Sequence, residues 1–465
     1  MYLTNGAKFH FLFLSIKVTF GRLAQAKHKP LNITQPMRYF STLAILAISA
    51  VAINANAQSG LEKKGDKLVK KFKYEKAIGK YTKAADKDST NFSAVQKLAK
   101  TYVAKGDYAS AEVAYQRVLA DARATSADKL AYAQVLRSNG KYEEAAKAYA
   151  VYAQAEPNSA VAQEFGSFDK EIRLLNRDNK MYELTNLPEN SGASDVGAAY
   201  SKDGLVLSSN RKASAAKQAA GSNAAEARFD LYTATTGTDS LSPAPGKLHG
   251  KVNSKFNDGA ATFTRDGKEM IFTQTNKQKG ANKTRTLGLY HADWDTVRGW
   301  VNIQPLPFNN FDYNVSQPSI SKDGSKLYFV SDMPGGMGGT DIYVADKQGI
   351  TWAPAVTLGG VANTAGNEVS PFIADDGTLY FASDSRIGLG GLDIYSITPN
   401  ASGKWGSAIN LGMPANSSSD DFGYVSDEKG KHGYIVSNRS GGMGKEDIYK
   451  FIKRSEPVCG NIADS

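Results

Sequence analysis

The stretch "SDMPGGMGGTDIY", residues 331–343, decides the fold. Its run of glycines suits either a phosphate cradle or a tight connection between strands. Two further copies separate these readings: "SDSRIGLGGLDIY" occupies residues 383–395 and "SNRSGGMGKEDIY" residues 437–449, each the same length as the first. A Walker-type loop needs lysine and then Ser or Thr after its glycines, ahead of a helix. Here each loop runs into "DIY", and Gly444-Lys445 is followed by Glu446. The copies therefore read as repeated turns. Gly336, Gly338, Gly388, Gly390, Gly442 and Gly444 are expected at positive φ, and Asp341, Asp393 and Asp447 are expected to bond backbone amides within their own units.

A matching block precedes each copy: "SQPSISKDGSKLYFVSD" from Ser316, "VSPFIADDGTLYFASD" from Val369 and "DFGYVSDEKGKHGYIVSN" from Asp421. Weaker versions begin at Asp195, "DVGAAYSKDGLVLSSNR", and at Asp258, "DGAATFTRDGKEMIFTQTN". Asp-Gly pairs begin at Asp203 and Asp266 and recur as Asp323-Gly324 and Asp376-Gly377, hairpin signals between short alternating runs. In the last unit "DEKG" at Asp427 stands in their place. Four short strands per unit of roughly 50 to 60 residues predict β-propeller blades over 181–453. Five blades are detected, and a sixth, too divergent to see, is left open. The Ser-x-Asp-Gly, Leu-Tyr-Phe-x-Ser-Asp and Asp-Ile-Tyr set is similar to the TolB-like, WD-type (PD40) propeller repeat of exported bacterial proteins.

A different period governs residues 58–176. Tyr74, Tyr108 and Tyr142 are spaced by 34 residues, as are Ala77, Ala111 and Ala145, and Tyr81, Tyr115 and Tyr149. Small and aromatic residues at helical spacing surround them, and Pro157 falls where a helix pair should stop. This resembles the tetratricopeptide repeat: Gly106 and Gly140 at interhelix turns, Ala where helices approach, Tyr between repeats. The first repeat is degenerate, with Phe72 in place of the turn glycine. The fold class expected is an all-α tetratricopeptide superhelix followed by an all-β propeller.

The net charge of +10 invites a nucleic-acid reading, but six cations and no acid precede Glu62. The basic signal therefore belongs mostly to a leader, and no nucleic-acid partner is expected. From Met37, "MRYFSTLAILAISAVAINANAQ" reads as a signal peptide over 37–57, cleaved before Gln58, with 1–36 as an upstream non-native extension. No membrane span is expected in the mature chain. Cys459 is the single cysteine, so no internal disulfide forms.

No Gly-x-Ser-x-Gly elbow and no zinc spacing around His249, His291 or His432 is found, and no cofactor, catalytic or metal site is expected. A helical array followed by this propeller resembles the PorE-like periplasmic proteins of type IX secretion and related envelope complexes. That resemblance implies a following β-sandwich, of which 454–465 reads as a broken-off remnant, and an OmpA-like domain that this sequence lacks, so peptidoglycan binding is not expected. It further implies a non-enzymatic scaffold associated with the outer membrane in the periplasm, holding protein partners through the helical groove and the propeller face. The alternatives are a propeller hydrolase or lyase acting on glycans or peptides through channel carboxylates, and a periplasmic ligand or muropeptide sensor.

Overall fold

The computed structural model describes residues 59–70, 73–202, 204–211, 228–234 and 245–454. The expected leader, Phe72, Asp203, Cys459 and nearly all of the expected remnant strand lie outside them. The described residues fall into two compact units, 59–106 and 107–454.

In the first unit, helix α1 (Gly60–Val69) starts on a capping box. Ser59 Oγ accepts from the Glu62 amide at 3.2 Å, and Glu62 Oε2 accepts from the Ser59 amide at 3.0 Å; together they satisfy two donors that a helix start leaves open. Next come α2 (Tyr74–Lys87) and α3 (Phe92–Lys105), the latter capped by Asn91 and stopped by Gly106 at φ 79°. Ala77 is fully buried. The Tyr81 ring lies where a Cβ on Gly65 would overlap it, and its hydroxyl donates to Asp66 at 2.7 Å.

The second unit opens with α4 (Tyr108–Leu119), α5 (Ser126–Ser138), α6 (Tyr142–Ala155), α7 (Ala160–Glu164) and α8 (Phe168–Leu175). The 34-residue register is visible in their burial: Ala111 and Ala145 are fully buried and Tyr115 and Tyr149 nearly so. Tyr74, Tyr108 and Tyr142 are the first residues of α2, α4 and α6 and are partly buried.

The chain then forms five antiparallel blades among the described residues. Blade 1 holds β2 (Asp195–Ser201), β3 (Gly204–Ser209), β4 (Asp230–Ala234) and β5 (Gly246–Lys247). Blade 2 holds β6 (Asp258–Phe263), β7 (Glu269–Thr275), β8 (Leu287–Asp295) and β9 (Gly299–Pro305). Blade 3 holds β10 (Val315–Ile320), β11 (Lys326–Ser331), β12 (Asp341–Gln348), β13 (Thr351–Trp352) and β14 (Val356–Thr357). Blade 4 holds β15 (Glu368–Ile373), β16 (Leu379–Ser383), β17 (Asp393–Ile397) and β18 (Ile409–Asn410). Blade 5 takes β19 (Asp421–Ser426), β20 (His432–Ser437) and β21 (Asp447–Lys453), and its outermost strand is β1 (Tyr182–Asn186), from the opposite end of the propeller sequence. The register runs from Tyr182↔Lys453 to Asn186↔Tyr449 and closes the ring. Among the described residues no sixth blade intervenes.

Alternation along the strands buries both faces of each blade against its neighbours. Between blades 3 and 4, Tyr328 and Ile342 meet Phe381 and Tyr395; between blades 2 and 3, Ile271 and Leu289 meet Leu327 and Phe329. The Asp-Gly pairs form the turns between first and second strands. The Gly324 amide bonds the Ser321 carbonyl at 2.8 Å with Gly324 at φ 71°, while Asp323 accepts from the Ser325 amide at 3.0 Å. Gly377 does likewise with Ala374 at 3.0 Å, and Asp376 accepts from the Thr378 amide.

The glycine-rich loops depart from the expectation of positive φ. Gly335 and Gly441 carry it, at 97° and 90°, whereas Gly336, Gly338, Gly388, Gly390, Gly442 and Gly444 do not. Those six are glycine because of close approach. A Cβ on Gly336, Gly388 or Gly442 would strike the carboxylate of Asp341, Asp393 or Asp447, and one on Gly338, Gly390 or Gly444 would strike the carbonyls of Gly366, Ser419 or Ala193 in the next blade's lead-in. Each loop is thus clamped onto the neighbouring blade in the same way.

Candidate interaction site

The pairing of β10 with β11, Val315↔Ser331 to Ile320↔Leu327, sets the glycine-rich loop and the Asp-Gly turn at opposite ends of the blade. The propeller therefore has a loop face and a turn face. On the loop face one asparagine per blade clamps the start of a third strand. Asn363 Oδ1 accepts from the Ile342 amide at 2.8 Å while its Nδ2 donates to the Ile342 carbonyl at 3.0 Å. Asn190, Asn253, Asn309 and Asn416 hold Ile448, Leu231, Leu289 and Ile394 in the same two-point grip.

Beside four of these clamps a carboxylate opens the innermost strand. Asp195, Asp258, Glu368 and Asp421 are fully buried, each taking an amide bond from the Ser or Thr four residues earlier. Arg211 pairs with Asp195 and Arg439 with Asp421, at 2.5 and 2.6 Å. Asp258 has Gln274 and Glu368 has Ser383 instead, both at 2.7 Å. With neutral partners, burial raises the Asp258 carboxyl to about 6 and that of Glu368 to about 7.

The second ring of acids lies under the loops. Asp341 Oδ2 accepts from the amides of Met337 and Gly338 at 2.8 and 3.3 Å, Asp393 Oδ2 from Gly390 at 3.0 Å, and Asp447 from Met443, Gly444 and Asn186. Asp341 and Asp393 each keep a buried Oδ1 without a hydrogen-bond partner among the described residues.

Blade 4 differs from its neighbours in what covers this loop. Helices α5, α6 and α8 pack on it: Leu136, Tyr149, Phe165, Phe168 and Ile172 form one core with Ile387 and Leu389. Arg137, only 2% exposed, reaches from α5 into the loop. Its guanidinium donates to the Arg386 and Asp384 carbonyls, both at 3.2 Å, and to the Gly391 carbonyl at 3.3 Å, with the Phe165 ring 5.6 Å away. Such a fork of donors matches a ring of carbonyl oxygens better than an ammonium does. Burial pushes the Asp393 carboxyl up to about 7; the nearby Arg137 charge opposes this, and Asp421 adds to it.

Arg137 and the asparagine clamps escaped the sequence reading, although both left signals. The 34-residue register sets Arg137 against Val69 and Val103, an unmatched cation at an apolar position. The clamps recur as Asn-Ser/Thr-x-x-x-Asp/Glu at Asn190, Asn253, Asn363 and Asn416, whereas Asn309 is followed by neither the hydroxyl nor the acid.

At the turn face the five innermost strands enclose a channel cavity of about 400 Å³, whose walls include Tyr200, Phe263, Phe372 and Tyr424. Each of these strands bulges once, at Gly197, Ala260, Gln317, Ser370 or Gly423, all at positive φ. The bulges at Ala260, Gln317 and Ser370 are tied to the preceding blade through their amides, which donate to Ser208 Oγ, Thr273 Oγ1 and Gln317 Oε1 at 2.8 to 2.9 Å. Across the mouth, Arg265 meets Glu428 at 3.0 Å and Asp375 at 3.5 Å, and Lys322 meets Asp375 at 2.7 Å. Asp427 bonds His432 at 3.0 Å. The carboxylates lining the cavity are therefore turn residues with partners. Among the described residues no three His, Cys, Asp or Glu side chains gather as a metal site, and no helix is long and apolar enough to cross a membrane.

Residues 68–130 match the tetratricopeptide repeat family. No curated protein matches the chain. The first tetratricopeptide domain of Spaghetti (RPAP3), solved with the HSP90 peptide SRMEEVD, is 29% identical over 24% of this chain and 90% of its own, with a TM-score of 0.23. The α-L-arabinofuranosidase from Lactobacillus brevis is 12% identical over 59% of this chain and 96% of its own, at 0.34. A third similar structure, RS223-Beta-xylosidase, is also 12% identical over 59% and 96%, at 0.36. The family match and the strand order join tetratricopeptide helices to a five-bladed propeller among the described residues, and helices of this kind typically mediate protein–protein contacts.

Proposed function

We propose that this protein is a non-enzymatic scaffold of the bacterial cell envelope, exported to the periplasm and held in an outer-membrane or type IX secretion assembly by protein contacts. The observation that carries the reading is the seating of α5, α6 and α8 on the blade 4 loop through Arg137 and a shared apolar core. The last helices of the array are thereby fixed to the propeller, an arrangement that suits display of both kinds of module to partners. The paired state of the channel-mouth carboxylates supports a non-catalytic role, since general acid and base work needs groups whose environments drive their pKa values apart. The cellular location rests on the leader and on the PorE-like resemblance.

The experiment is detergent-solubilised purification of a tagged full chain after cross-linking in cells. Outer-membrane or periplasmic proteins recovered at fixed ratio are the expected result; recovery of none counts against the envelope scaffold. A second reading, a small-ligand sensor or a glycan or peptide hydrolase working in the channel, draws on the cavity with its aromatic walls. Saturable thermal stabilisation by muropeptides, or turnover of glycosides abolished by Asp375→Asn, would favour it.

A further inference from the structure

The blade 4 loop is buried by the protein's own helices, yet its twin on blade 3 is bare. Ile387 and Leu389 are 6% and 0% exposed, whereas Met337, the counterpart of Leu389, is 51% exposed. Around it Asp332, Pro334, Gly335 and Gly339 are all exposed. The two loops share the close fit of their paired glycines, since Gly336 and Gly338 meet Asp341 and the Gly366 carbonyl just as Gly388 and Gly390 meet Asp393 and the Ser419 carbonyl, and they differ one residue earlier, where Gly335 is at φ 97° and its counterpart Ile387 is not at positive φ. The Asp384, Arg386 and Gly391 carbonyls that hold Arg137 correspond to those of Asp332, Pro334 and Gly339. Beneath them Asp341, 1% exposed, keeps its unpartnered Oδ1, as Asp393 does beneath Arg137.

We infer that the blade 3 loop is a second docking facet, which takes an arginine-bearing helix of a partner protein in the way the blade 4 loop takes α5. Charge selects blade 3 over blade 5. Residues 331–343 hold two aspartates and no base, while the blade 5 loop carries Arg439 and Lys445 and its Asp447 is already bonded by Asn186. The surface is also continuous with the occupied one. Arg386 of the blade 4 loop donates to the Val361 and Ala362 carbonyls at 3.2 and 3.1 Å, and Met337 lies over the adjoining Gly360. A helix on blade 3 would present a guanidinium to the carbonyls of this exposed loop, those of Asp332 and Gly339 among them, and apolar side chains to Met337, since a buried arginine needs several oxygens at once.

This inference rests on the scaffold reading but can fail without it. The probe is a fluorescent peptide of residues 125–156, the α5–α6 hairpin with its helices cross-linked and its helicity verified by circular dichroism, titrated against the full chain by anisotropy. Saturable binding is expected, weakened at least tenfold by Met337→Asp or Pro334→Lys in the protein and by Arg137→Lys in the peptide, and unchanged by Met443→Asp. Both protein variants alter exposed side chains, and unchanged thermal melting would show that they fold. Absence of saturable binding overturns the inference, as does binding indifferent to Met337→Asp or to the peptide arginine. Self-association of the chain that Met337→Asp abolishes would assign the facet to a second copy and overturn it equally. None of these results bears on whether envelope proteins co-purify.

Discussion

At the scale of single residues, the acids of the loop face differ in how their charge is met. Asp195 and Asp421 have arginines, Asp393 faces Arg137 across the seat of α5, and Glu368 has only hydroxyls and an amide. For Asp393 the sign follows from two proton affinities. An unfolded carboxyl releases its proton near 3.8, whereas the folded one holds it until about 7. Between those values the unfolded chain binds fewer protons, so this group's contribution to stability declines as the pH rises. Replacing it by Asn removes that decline. Relative to the parent, Asp393→Asn should gain stability from pH 4 to pH 7 and then level off, by about 2 to 4 kcal/mol in all. Parallel thermal-melt curves for the two proteins across that range would refute the assignment. Glu368 titrates with the same sign in both proteins and cancels in the comparison.

Among elements, the third strands depend on side chains from outside their own sheet. Asn363→Ala would leave the buried Ile342 amide without its partner and the Ile342 carbonyl with the Leu358 amide alone, costing about 1 to 3 kcal/mol. Hydrogen exchange should show β12 opening before β17, and unchanged protection of the Ile342 amide would contradict the role. Strands and turns of this kind were legible in the sequence because each is specified locally: an Asp-Gly pair makes its own turn, and alternation buries its own strand. The same holds for Ala77, Ala111 and Ala145, whose period alone marks a helix contact. The seat of Arg137 is not legible because its carbonyl partners lie 247 to 254 residues away, and the clamps are not because an asparagine in a lead-in does not name the strand it holds, whether that is 21 residues back, as for Asn363, or 258 away, as for Asn190. The glycines of the loops were read for the wrong reason. Their spacing resembles a conformational demand, and only the neighbouring blade reveals a steric one.

For the molecule as a whole, β1 is the piece on which the ring depends. Its sequence, "YELTN", lies before the first complete blade and carries no motif of the repeat, so only the topology discloses its place. Thr185→Pro, inside the pairing with β21, deletes a strand amide and adds a ring that a paired strand does not accommodate. A loss of about 2 kcal/mol is expected, read as a fall of roughly 4 to 8 °C in melting temperature. Exchange should quicken first in β21 and β20, and uniform change across all blades would argue against a localised seam.

The closure also sets an order in time. A ribosome makes β1 before any complete blade, yet its partner β21 emerges only after every other strand of the ring has been made. Until then the circle stays open, with one inter-blade boundary exposed on each side of the gap, and the long span between the joined ends makes their pairing slow compared with hairpin formation. The last strand synthesised is therefore the one that completes the first, and a nascent chain halted within β21 keeps its helices and earlier hairpins but lacks a closed ring.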